Sequence, residues 1–356
     1  MQDATLRRTI AAIRGGNSQL ESAAWSRLNS LTKPLGSLGL LEEIAAKYIA
    51  WREESSPTIA GKAVYVFAAD HGIVEEGISA YPKDVTPQMV SNFLSGGAAI
   101  NVLARQANAE VVVVDVGVDA ELAEAPGLVR RKVRRGTRNF AREAAMSEED
   151  LVAAMSVGIA LADEAKQQGR TLIALGEMGI GNTTSASAIA AMLGGVPAAQ
   201  VTGRGTGLDA ERCSRKAEVI ERALQMHFPA RAAVEPLELL RRVGGLEIAA
   251  IAGMVLGAAA NRIAVAIDGF ICTAGAAIAC ELAPEARAAI FAGHLSQEPG
   301  HRILLDRMNL KPLLQLEMRL GEGTGAALAF HLIEAALRIY NEMATFESAG
   351  VSKAGC

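Results

Sequence analysis

Apolar residues recur along the first fifty positions at the spacing of an amphipathic helix. Leu6, Ile10 and Ile13, then Leu20, Ala24 and Leu28, predict helix over residues 3–29. Leu31-Thr-Lys-Pro-Leu-Gly-Ser-Leu-Gly39 breaks that pattern, and Leu41, Ile44, Ala45 and Tyr48 resume it from Leu40 to Trp51. The pattern then changes. Ala63–Ala69, Val111–Gly117, Leu172–Leu175, Ile263–Ile267 and Ala288–Ala292 are continuous apolar runs, as expected of strands covered on both faces. Helical stretches alternate with them: 84–103 with an interruption at Gly96-Gly97, 147–169, 209–226, 236–242, 243–259 and 274–282. Met308 to Leu320 and Ala326 to Thr345 read as two last helices.

This alternation predicts an α/β fold: a mostly parallel, doubly wound (Rossmann-like) sheet with helices on both faces. The helices before the first strand and after the last suggest a small helical domain. The expected division is residues 1–55 as its first part, 56–305 as the parallel-sheet domain, and 306–356 as the helices that complete the small domain.

Each predicted strand runs into Gly, Asp, His or Ser, and polar residues at the carboxyl ends of such strands face the usual ligand crevice. Asp70, His71, Asp115, Glu177, Asn182, Thr183, Asp268, His294 and Ser296 therefore gather as candidates. The densest of these stretches is Gly176-Glu-Met-Gly-Ile-Gly-Asn-Thr-Thr184, a strand, a glycine turn and a helix start. A helix N-terminus presents free N–H groups and a positive dipole end, which suits a phosphate; a plain capped turn explains the same residues. Val201–Gly207 and Leu320–Gly325 repeat the Gly/Thr theme, and none of the loops has the GxxxxGK[ST] pattern. Glu322 sits between two glycines beside Leu316, Met318 and Leu320. Either desolvation raises its pKa towards that of a general base, or it bonds backbone N–H groups as a loop residue.

Composition narrows the choice. The chain has 356 residues, half of them hydrophobic, enough for one large domain or two. A net charge of −4 and 4% aromatic content give no case for nucleic acid. Four cysteines (Cys213, Cys272, Cys280, Cys356) and five histidines show no metal-site spacing, and Asp70-His71 alone offers too few ligands. Free thiols point to a reducing compartment. The polar start of the chain has no signal-peptide core, and Leu246–Ile271 carries too many polar residues to span a membrane. A cytoplasmic protein is expected. Lys33 is expected as an exposed turn lysine, and Arg130, Arg131, Lys132, Arg134 and Arg135 as a solvated face.

Several runs together resemble one family. They are Leu31–Gly39, Ala69–Gly72, Tyr81–Thr86, Val114–Gly117, Gly176–Thr184, Val243–Gly245, Ile267–Phe270 and Arg319–Ala326, in order over residues 31–326. Carried by the GExGxxNTT and RLGEG[ST]G loops, the chain resembles the nicotinate-nucleotide:dimethylbenzimidazole phosphoribosyltransferases. The resemblance implies transfer of phosphoribose from nicotinate mononucleotide to 5,6-dimethylbenzimidazole. It also implies a homodimer, small-molecule substrates alone, no cofactor and no metal. On its terms Glu322 is the catalytic base and Glu177 a second active-site carboxylate. Gly179, Asn182, Thr183, Gly205, Lys216 and Ser296 hold the phosphoribosyl group, and Tyr81, Gln88, Met89 and Leu320 contact the base. The chain departs from the family pattern at Leu35, where a second Pro is common, and at Glu143. Two other readings of the loops are a phosphoribosyltransferase with another acceptor base and a mononucleotide-binding sensor.

Overall fold

A computed structural model describes residues 3–205, 207–230 and 234–352. The predicted Cys356 thiol lies outside them. The chain opens with α1 (Ala4–Ala12), α2 (Ser18–Ser30) and α3 (Leu40–Arg52). The expected single helix over 3–29 is two helices, because Gly15-Gly16 interrupts it and the Asn17 side chain caps α2 by accepting the N–H groups of Gln19 and Leu20.

There follow β1 (Lys62–Ala69), α4 (Val85–Leu94), α5 (Ala99–Gln106), β2 (Glu110–Gly117), β3 (Leu128–Arg130) and α6 (Glu148–Gln167). Next come β4 (Leu172–Met178), α7 (Asn182–Gly194), α8 (Ala198–Val201), α9 (Ala210–His227), α10 (Pro236–Val243) and α11 (Leu246–Ala260). The chain ends with β5 (Ala264–Ile267), α12 (Phe270–Leu282), β6 (Ile290–His294), α13 (Pro299–Arg307), β7 (Pro312–Leu314) and α14 (Thr324–Glu342).

The seven strands form one sheet in the order β3-β2-β1-β4-β5-β6-β7, every neighbouring pair parallel. The expected parallel α/β sheet is therefore present, with its order reversing between β1 and β4. α11 packs on β1, β2, β4 and β5 and against α6 and α12; α14 packs on β4 to β7 and against α3 and α5. The central strands are buried along almost their whole length, which is why they read as unbroken apolar runs. The two ends of the chain meet: Leu31 bridges Thr345, and Arg27 donates to the carbonyls of Tyr340 and Asn341.

Three expectations are corrected. Met308–Leu320 is not a helix; α13 stops at Arg307, Asn309 takes a φ of +51°, and Pro312 opens the edge strand β7. Proline cannot donate to a helical ladder and is tolerated at a strand's first residue. The basic run around 130–135 is a solvated face at Arg130, Arg131 and Arg135, as expected, but not at Lys132 and Arg134, which are partly buried and paired with Asp115 at 3.3 Å and Asp150 at 3.1 Å. Lys33 is buried rather than exposed, its ammonium 2.9 Å from the buried carboxylate of Glu42.

Candidate active site

The polar residues at the strand ends divide into two groups. Beyond β1 and β2 they are committed to structure. Asp70 accepts the Thr86 hydroxyl at 2.7 Å and the Asp119 N–H at 2.8 Å, and Asp115 accepts the Val118 N–H at 3.0 Å. His71 is fully buried between Glu247 at 2.7 Å and the Ser185 hydroxyl at 3.1 Å, so it is no metal ligand. Among the described residues no group of three or more His, Cys, Asp or Glu side chains is placed to hold a metal ion.

Beyond β4, β5 and β6 the side chains line a cleft. Its wall includes Glu177, Gly179, Asn182, Thr183, Gly205, His294, Ser296, Glu298, Arg319 and Leu320. Its cavity volume is about 90 Å³. A roomier hollow of about 540 Å³ lies elsewhere, between residues 57–59 and α14. Its Glu334 pairs with Lys62, and its Arg338 with Glu342.

One end of the cleft is built of carboxyl groups. The strand β4 does not stop at Gly176, as its sequence suggests, but continues through Glu177 and Met178. Gly176 is there because the Glu322 backbone lies on it: a methyl carbon at 176 would fall 2.3 Å from the Glu322 carbonyl oxygen. The Glu177 carboxylate in turn lies against Gly321 and accepts the Asn182 side-chain amide. Burial, reinforced by the nearby charges of Glu247, Asp268 and Glu322, pushes the Glu177 carboxyl well above the usual range, although the Asn182 amide pulls the other way. Glu322 is also raised, first by burial and further by Asp268, and opposed by a long bond (3.4 Å) from the Ile100 N–H at the start of α5. Glu322 is thus both desolvated and in contact with a backbone N–H.

Asp268, at the end of β5, accepts the N–H groups of Gly323, Gly325 and Ala326 at 3.0, 2.7 and 3.2 Å. It supplies the cap that α14 otherwise lacks and fixes the Glu322 loop to the sheet.

The other end of the cleft carries a helix N-terminus and a buried lysine. α7 begins at Asn182, directly after Gly181, and points its N-terminus into the cleft. Lys216 reaches there from α9, buried, with Nζ 2.7 Å from the Thr183 hydroxyl. Burial lowers its pKa to about 8, against the raising influence of Glu298 and Cys213. Ser296 is held by His301, whose Nδ1 accepts the Ser296 N–H at 2.9 Å while its Nε2 meets the Thr273 hydroxyl at 2.9 Å. Burial drives the His301 pKa down to about 3, so its ring is neutral and Nδ1 stays an acceptor.

Of the sequence candidates, Glu177, Gly179, Asn182, Thr183, Gly205, Ser296 and Leu320 stand on one cleft wall, Lys216 and Glu322 adjoin it, and Tyr81, Gln88 and Met89 lie outside its lining. The helix of Gln88 and Met89, α4, is nevertheless tied to the glycine loop, because the Ile180 N–H donates to the Thr86 hydroxyl at 3.2 Å. Tyr81 and Leu320 are large apolar side chains left about half exposed. Sequence reasoning gave no task to Asp268, Glu298 or His301. Asp268 at least follows an apolar run directly, whereas Glu298 and His301 carry no such signal.

Fold and cleft together are those of a phosphoribosyltransferase: the DBI_PRT family model, described as phosphoribosyltransferase, matches residues 13–351. The nicotinate-nucleotide–dimethylbenzimidazole phosphoribosyltransferase of Geobacter sp. (strain M21) is 56% identical over 347 residues, 98% of this chain and 99% of the relative. The enzyme of the same name from Chloroflexus aggregans is 53% identical over 98% of both chains. A crystal structure of the Thermus thermophilus enzyme of that name superposes with a TM-score of 0.89 at 48% identity, covering 95% of this chain and all of that one. The chain belongs to the family of nicotinate-nucleotide–dimethylbenzimidazole phosphoribosyltransferases.

Proposed function

We propose that this chain transfers the 5-phosphoribosyl group of nicotinate mononucleotide to 5,6-dimethylbenzimidazole, giving nicotinate and α-ribazole 5′-phosphate, the nucleotide that carries the lower ligand of cobalamin. The carrying observation is the polarity of the cleft: raised carboxyl groups at one end, and a buried lysine beside a helix N-terminus at the other. A phosphoribosyl group has the matching polarity, with a cation-like C1 at one end and a phosphate at the other.

The bond from ribose C1 to the pyridinium nitrogen breaks, and its electron pair stays with nicotinate, so the leaving group needs no proton. The Glu177 end stabilises the positive charge that develops at C1. The unprotonated nitrogen of the benzimidazole forms the new bond to C1, and Glu322 takes the proton from the other nitrogen, a role worth about 10²–10⁴ in rate. Lys216, Thr183, Gly179, Gly205 and Ser296 hold the phosphate in this reading, with Asn182 tying the two ends together through Glu177. Leu320, Tyr81, Gln88 and Met89 form the base-contacting side; the exposure of Leu320 and Tyr81 supports this. A cytoplasmic homodimer completes the proposal. The free thiols of Cys213, Cys272 and Cys280 fit a reducing compartment, and light scattering tests the dimer.

The decisive experiment incubates the protein with nicotinate mononucleotide, with and without 5,6-dimethylbenzimidazole, and separates the products by chromatography. Ribazole phosphate and nicotinate in equal amounts, formed only with both substrates, is the expected result. Nicotinate released without acceptor makes the protein a hydrolase, and binding without release makes it a mononucleotide sensor.

A further inference from the structure

Glu298 lies on the loop between β6 and α13, and the reaction above gives it no task. It is 5% exposed and stands on the cleft wall beside Ser296 and Gly205. Its Oε1 accepts the Gly205 N–H at 3.0 Å, and its own N–H donates to the Ser296 hydroxyl at 3.3 Å. Oε2 is buried and has no hydrogen-bond partner. A methyl carbon at Gly203 would fall 2.1 Å from Oε2, so the 203–205 backbone is wrapped closely around the carboxylate. On the other side of Gly205 stands Lys216, whose Nζ would be 3.5 Å from a methyl carbon at that glycine. The Gly205 residue is thus flanked by a buried carboxylate and a buried amine.

A buried carboxylate with an unpaired oxygen is unfavourable unless an opposite charge answers it. Lys216, beside the same glycine but not in direct contact with Glu298, is a buried cation with the complementary difficulty. Burial drives it towards the neutral amine, while Glu298 from the β6–α13 loop, and to a lesser extent Cys213 from its own helix, favour the ammonium; Thr183 from α7 supplies its hydrogen bond.

We infer that Glu298 is a positioning residue for the phosphate end of the cleft: it shapes the loop at Gly205 through the N–H bond and keeps Lys216 an ammonium through its charge, without touching substrate. The inference rests on the proposed function, in which Lys216 and Gly205 receive the substrate phosphate. The two effects separate chemically, since glutamine keeps an acceptor for the Gly205 N–H but loses the charge, and alanine loses both.

The test is steady-state kinetics of the full chain across the alkaline range, varying nicotinate mononucleotide at saturating acceptor. Glu298→Gln is expected to keep a KM close to that of the unchanged protein at about pH 6 and to move the alkaline rise of KM down by about one pH unit. Glu298→Ala is expected to raise KM about tenfold at every pH, the loss of a hydrogen bond to a charged group, and to affect KM more than kcat. Circular dichroism checks that both variants fold, and Glu298→Gln alone carries the charge test if Glu298→Ala does not.

A lowered KM in both variants overturns the inference, because the carboxylate would then be a competitor that phosphate displaces. An unmoved alkaline rise in Glu298→Gln overturns the charge role. Calorimetric titration of Lys216→Met with inorganic phosphate separates this from the underlying reading. If Lys216→Met binds phosphate as the unchanged protein does, the phosphate assignment itself fails. If it loses binding while Glu298→Gln leaves the pH profile unmoved, the role of Glu298 alone fails.

Discussion

The two ends of the cleft are subject to the same force with opposite usefulness. At the end of β4, burial and like charge push Glu177 and Glu322 towards their neutral forms. At the start of α7, burial pushes Lys216 towards its neutral form as well. For a general base this is an advantage, because a carboxylate with a raised pKa takes a proton more readily near neutral pH. For a phosphate anchor it is a liability, because the neutral amine no longer attracts an anion. The carboxyl end can therefore be made by crowding acids together, whereas the cationic end needs a counter-charge, a hydrogen-bond partner and a helix N-terminus as well.

The strongest way to break this contrast is Glu322→Gln. Turnover is expected to fall by about 10²–10⁴, with the binding of nicotinate mononucleotide kept; full turnover in a steady-state assay would remove Glu322 from the role of base. Lys216→Met should act on the opposite parameter, raising KM for nicotinate mononucleotide by about 10- to 100-fold, as expected for a lost charged hydrogen bond. A fall confined to kcat would mean that Lys216 serves the chemistry and not the anchor.

The pH profile sharpens the comparison with smaller effects. Glu322 must be ionised to act and its pKa is raised, so kcat should decline on acidification from a pH above the ordinary carboxylate value of 4.5. Lys216 must be protonated and its pKa lies at about 8, so KM for nicotinate mononucleotide should rise as pH increases through that value. The smallest expected change is in Asn182→Ala, which removes the amide that favours the charged form of Glu177. Its kcat should fall about tenfold or less, at the level of one hydrogen bond, and Glu177 should titrate at higher pH by carboxyl-carbon NMR.

The sequence was most legible where burial is uniform. The runs that became β1, β2, β4, β5 and β6 needed no other information, because a strand with helices on both sides has to be apolar throughout. The edge strands β3 and β7 are three residues each, too short to carry a pattern. Gly176 misled because glycine ordinarily ends a strand; here a distant backbone rests on it, and local sequence does not encode that contact. Lys33 misled for a similar reason, since its pairing with Glu42 is set by the fold.

In the site, Glu177 and Thr183 were singled out by a glycine loop and Lys216 by the family resemblance, and the structure brings the three close together. The supports were not legible. Asp268 acts on N–H groups more than fifty positions later in the chain, and His301 acts through the tautomer of a buried ring.

The three N–H groups held by Asp268 also decide how the Glu322 loop is anchored. The loop is fastened to the carboxyl end of a central strand. Residues 315–320, by contrast, have no regular structure and are tied to other loops, Met318 to Gln297 and Arg319 to Gly205, rather than to the sheet. The residue proposed to take the proton is thus held to the sheet, while the segment that leads into it is held only to loops.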